Sequence, residues 1–142
     1  MAALTKPRST PRLGQDIAPY DFPIAANTKV WSGSIACIDG TNKRLVPGSA
    51  LTTLKCVGRA RDTYDNTGGA AAAFRCAVDS GIFRWDNSSA GDLIAQADVG
   101  NDCYIVDDHT VAKTDGTGTR SIAGKIIDVD TVGVWVQMKH AS

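Results

Sequence analysis

The chain has 142 residues, enough to bury a core without disulfides or a structural metal, and its 15 basic and 15 acidic residues cancel. That balance excludes a general electrostatic pull toward nucleic acid or an anionic membrane, so any charged partner surface must be local. Every acidic residue is Asp and none is Glu; with 14 glycines and many Thr, Val and Ile, the composition favours strands and turns over helices.

In chain order, residues 1–26 stand apart. Pro7, Pro11, Pro19 and Pro23 are four of the five prolines, and Lys6, Arg8 and Arg12 precede the first acid, Asp16. Such a segment cannot form a regular helix and has no apolar period, so it reads as an extended arm that orders on a partner. Tyr20 and Phe22 in "APYDFPIA" are its apolar anchors. No apolar stretch of the secretory kind follows its basic residues, and no run of about 18 apolar residues suits a membrane-spanning helix. Synthesis in the cytoplasm and no membrane partner are therefore expected.

From Thr28 onward, short strands alternate with turn chemistry. "TKVWSGSIACID" is a first strand region closed by the "DGTN" turn, and Pro47 in "KRLVPG" marks a strand end or edge. "TLKCVGRARDTY" reads as one longer strand, with Leu54, Cys56 and Gly58 alternating with Lys55, Val57 and Arg59, and "DNTGG" turns the chain. "AAAAFRCAVDSGIFRWDN" carries two strands around a tight turn at Ser80-Gly81. "SSAGDLIAQADVG" is the one expected helix, with Ser88 or Ser89 as N-cap and Gly100 past its end. "DCYIVDD" is a strand, "HTVAK" its return, and "RSIAGKIIDVD" and "GVWVQMK" close the chain as a hairpin. In its last strand Val134 and Val136 share one face, Trp135 and Gln137 the other. The expected fold is mainly β: a small β-barrel or β-sandwich over residues 27–142 with one short helix, preceded by the arm 1–26.

The densest chemistry is "DVGNDCYIVDDHTV", residues 98–111, with four aspartates, Cys103 and His109. Adjacent strand residues point to opposite faces, so Asp107 and Asp108 make no carboxylate pair within a strand. Cys103 and Asp107 share a face but lie roughly 13 Å apart, too far for one ion. A hairpin tip with His109 facing solvent is the simpler reading. The stretch from Asp128 starts like a calcium loop but places Val132 fifth and Lys139 twelfth, where ligands are needed. Gly116 and Gly118 lack the third glycine of a dinucleotide fingerprint, and no Ser occupies a G-x-S-x-G elbow. No catalytic, cofactor or metal residues are assigned, and no enzymatic activity is expected. Cys37, Cys56, Cys76 and Cys103 form no C-x-x-C pair and read as buried, reduced thiols in strands. Phe74, Arg75, Phe83, Arg84 and Trp85, with Arg59 and Arg61, could make a basic stacking platform of the oligonucleotide-binding kind. The competing reading packs Phe83 and Trp85 on one sheet face and leaves Arg84 solvated on the other.

Taken together, "GIFRWDN" and "AGDLIAQADVGNDCYIVDDHTVAKTDGTGTRSIAGKIIDVDTVGVWVQM" resemble the C-terminal half of the head decoration, or capsid cement, proteins of tailed bacteriophages. The matching positions are Gly81 to Phe83, Gly100 to Tyr104, Asp107 to Val111 and Gly124 to Val136; "VWSGSIACID", "RLVP" and "CVGRA" match more loosely. The resemblance implies a β-barrel on the outer surface of the expanded icosahedral head, assembled with copies of itself as a homotrimer and clamping major capsid subunits. It implies a structural virion protein without cofactor and without direct nucleic-acid contact. The arm lies outside the matched part, and Arg8, Arg12, Tyr20 and Phe22 are its expected capsid-binding residues. Two alternatives are another head or tail structural component, and an oligonucleotide- or carbohydrate-binding barrel relying on Trp85.

Overall fold

A computed structural model describes Pro7 and residues 20–138. Twelve strands are present among them: β1 (Tyr20–Pro23), β2 (Thr28–Val30), β3 (Ile35–Asp39), β4 (Leu45–Pro47), β5 (Leu54–Ala60), β6 (Tyr64–Asn66), β7 (Arg75–Asp79), β8 (Gly81–Asn87), β9 (Asp102–Ile105), β10 (Thr110–Ala112), β11 (Ile122–Val129) and β12 (Val134–Met138). The first lobe is a five-stranded sheet ordered β1-β7-β5-β3-β4, with β2 and β6 as a separate pair. Its ends meet: Ile24, just after β1, bridges Leu45 of β4. The second lobe is a closed barrel, β10-β8-β12-β11-β9. The mainly β expectation and the barrel are therefore correct.

Two apolar cores result, and β3 separates them. Alternation along "IACID" sends Ile35 and Cys37 into the barrel-side core with Leu54, Trp85, Ile105 and Val136, and Ala36 into the other with Ile24, Leu45, Val57 and Val78. Ile35, Ala36 and Cys37 are all fully buried. A strand covered on both faces reads as a continuous apolar run, which is how this short segment appears in the sequence. On β5 the register slips between the Cys37–Cys56 and Ala36–Gly58 pairs, leaving Val57 as a bulge. Gly58 is required there: its φ is +147°, and a Cβ would lie 2.1 Å from the Asp79 carbonyl oxygen.

Several expectations change. The first strand region divides into β2 and β3 around a turn in which the Ser34 hydroxyl donates to the Trp31 carbonyl. The long strand ending at Tyr64 divides into β5 and β6. Ser80 joins two strands that do not pair with each other: β7 belongs to the first lobe and β8 to the barrel. The expected helix is two single 3-10 turns, Ala90–Asp92 and Gln96–Asp98. Asn87 explains it. Its side-chain oxygen accepts from Ser88 N and Ile94 N, and its amide donates to the Ile94 carbonyl at 2.9 Å. Both backbone groups of Ile94 are thus taken before a helix can use them, and Ile94 is drawn into the core. At the start of the fold, residues expected in the arm join the sheet: β1 pairs with β7 from Tyr20 to Pro23, and Ile24 is fully buried.

Candidate functional site

Of the four residues expected to bind a capsid, Arg8 and Arg12 lie outside the described residues. Tyr20 and Phe22 occupy the edge strand β1, opposite Val78 and Cys76. Phe22 packs against the first-lobe core, whereas Tyr20 remains 41% exposed. Asp21 and Arg75 lock this edge, with Arg75 Nε 2.6 Å from Asp21 Oδ1 and Nη2 donating to the Asp21 carbonyl at 2.9 Å. The arm is joined in sequence to this edge strand.

The aspartate-rich stretch is a hairpin tip, as expected, and also a joint between lobes. Cys103 and Ile105 point into the core, and Val111 pairs back on Ile105. Ile35 N, at the start of β3, donates to the Asp108 carbonyl at 2.7 Å, while Asp86 N donates to the His109 carbonyl at 2.9 Å. His109 is exposed but engaged: its Nδ1 lies 3.0 Å from Asp86 Oδ2 and its Nε2 3.5 Å from Asp107 Oδ1. The hydrogen bond with Asp86, with Asp107 and Asp108 nearby, raises the imidazole pKa above its usual value. Asp107, Asp108 and His109 can bring one ligand atom each within 4.8 Å of one another. Strand geometry argues against such convergence; the turn that interrupts the strand permits it.

The aromatic and basic residues do not form a stacking platform. Trp85 is 4% exposed, and its indole N–H donates to Met138 Sδ at 3.2 Å. Phe83 meets Trp85 edge to face at 6.4 Å, and the Arg59 guanidinium lies 4.4 Å over the Phe83 ring. Arg84 is only partly solvated, its side chain 24% exposed. It sits 5.7 Å from the Trp135 ring centroid and 4.0 Å from Asp130, and its Nη1 is buried without a hydrogen bond.

The two lobes also frame an open groove of about 790 Å³, lined by Lys55 and Cys56 of β5, Asp102 and Tyr104 of β9, Lys125 of β11 and Gln137 of β12. These residues come from four separated strands, so no local motif could announce the groove. All four cysteines are free thiols on strands. Burial pushes Cys103 up to about 12 and Cys76 up to about 11. A hydrogen bond with Cys56, and then burial, raises Cys37 well above the usual thiol range. No family model, curated protein or solved structure matches the chain.

Proposed function

We propose that this protein is a capsid decoration protein: it binds the outer surface of an expanded phage head as a homotrimer and staples major capsid subunits together. One observation carries the reading. The four stretches that resemble the decoration family fall on β8, β9, the β9–β10 tip and the β11–β12 hairpin, all within the closed barrel. A resemblance spread over unrelated loops would not assemble one structural unit. Stapling needs no catalysis, only binding free energy repeated over many contacts, since one anchored subunit raises the effective concentration of the next. Binding only to the expanded shell stabilises that state by mass action. The arm supplies reach: starting at a sheet margin, it can add a strand to an exposed edge on a neighbour, with Arg8, Arg12 and Tyr20 as side-chain contacts.

The test adds the purified protein to expanded empty heads built from the major capsid protein of the same genome. Bound copies are counted by cryo-electron microscopy, and thermal rupture is compared with bare heads. Occupancy at threefold and local threefold axes with a higher rupture temperature is expected. Equal rupture with and without the protein rejects the reading, and copies confined to the portal or tail favour a different virion component.

A further inference from the structure

Cys37 and Cys56 are direct partners across β3 and β5. Paired residues on antiparallel strands have Cα atoms about 4.5 or 5.5 Å apart, and both spacings fall inside the range that a disulfide spans. The Cys56 side chain lies close enough to raise the Cys37 pKa. Their exposures differ in a useful way: Cys37 is fully buried, whereas Cys56 is only partly buried and lines the groove. Cys103 is also near, but its Sγ is directed to the Gly124 carbonyl at 3.6 Å. Cys76 lies in the other core.

We propose that Cys37 and Cys56 form a redox pair that a low-molecular-weight disulfide oxidises through the groove. The Cys56 thiolate attacks one sulfur of the external disulfide, forming a mixed disulfide and expelling one thiolate, which takes up a proton from water. Cys37 then loses its proton to water and attacks Cys56 Sγ, expelling the second thiolate. Two protein thiols are oxidised and one external disulfide is reduced to two thiols. The groove admits the reagent to Cys56, and strand pairing places the resolving sulfur behind it. The new bond ties β3 to β5, the wall between the two cores, and cross-links residues that reducing surroundings leave unbridged. This inference does not depend on the capsid reading.

The probe is oxidised glutathione, added to reduced full-length protein at pH 8 and followed by intact-mass spectrometry and peptide mapping. Loss of two hydrogen atoms, no retained glutathione and a Cys37–Cys56 cross-linked peptide are expected. The unfolding midpoint should rise by roughly 5–10 °C and return on reduction. Cys37→Ser should trap one glutathione on Cys56, and Cys56→Ser should show no exchange at Cys37. A stable glutathione adduct on the unmutated protein, a Cys56–Cys103 bond, or no reaction overturns the proposal. The wild-type peptide map alone decides these outcomes if either variant folds poorly.

Discussion

Ser121 bonds across the lobes with a single hydroxyl. It accepts from Leu54 N at 3.1 Å and donates to the Leu51 carbonyl, while its own carbonyl accepts from Ile105 N at 2.9 Å. Ser121→Ala strands a buried amide and a carbonyl, and the expected loss is about 1–3 kcal/mol in denaturant unfolding. His109 works at the same junction with a pH dependence. Its folded pKa is raised from the ordinary 6.5, chiefly by the hydrogen bond with Asp86. A raised value means that the folded state binds the proton more tightly, so the stabilisation is fully present below about pH 6.5 and is lost as pH rises through the folded pKa. The stability difference between wild type and His109→Gln should therefore shrink between pH 6 and 8 in parallel denaturation curves. A difference that stays constant across that range would show that the Asp86 contact does not titrate. The sequence marked His109 as an exposed turn residue; it could not supply Asp86, which is 23 residues away and brought alongside by the parallel pairing of β10 with β8.

Strands were legible wherever period-two alternation meets a one-sided core. Val134 and Val136 point inward with Met138, and Cys103 and Ile105 do the same on β9. What stayed hidden is which sheet each strand joins. Ser80-Gly81 carries the signal of a turn, yet the strands on either side enter different lobes, because long-range pairing with β5 and β12 decides their place. The 3-10 turns differ from the expected helix for a similar reason: helix caps are local signals, and the bonds from Asn87 to Ile94 span seven residues of tertiary geometry. The groove had no signal at all. Gly58 is the element-scale test. It permits the bulge through which β5 serves β3 and β7 together, so Gly58→Ala should cost more than about 2 kcal/mol through the left-handed φ and the clash with Asp79. Loss of amide protection along β5 and β7 in hydrogen exchange, with β11 and β12 spared, would place the damage there. Uniform protection equal to wild type would contradict the bulge.

At the scale of the molecule, the two cores meet at a wall made by β3 and β5, and the first lobe lies between the arm and the barrel in the chain. That geometry changes where the arm can be cut. Removing residues 2–26 takes away β1 and Ile24, whose side chain is fully buried and whose backbone bridges Leu45 of β4. Losing Ile24's packing alone costs about 2–5 kcal/mol, so such a truncation tests folding rather than binding. Removing residues 2–19 retains every residue of β1, the Asp21–Arg75 pair and both cores. If the arm is the capsid-binding part, this shorter deletion should keep the unfolding midpoint within about 2 °C of the full chain. It should also weaken binding to expanded heads at least tenfold, about 1.4 kcal/mol or more per site. Sedimentation with empty heads measures the second quantity and a thermal melt the first. Undiminished head binding by a fully folded 2–19 deletion would move the contact from the arm to the barrel, where the aspartate hairpin and the groove are the remaining recognition surfaces.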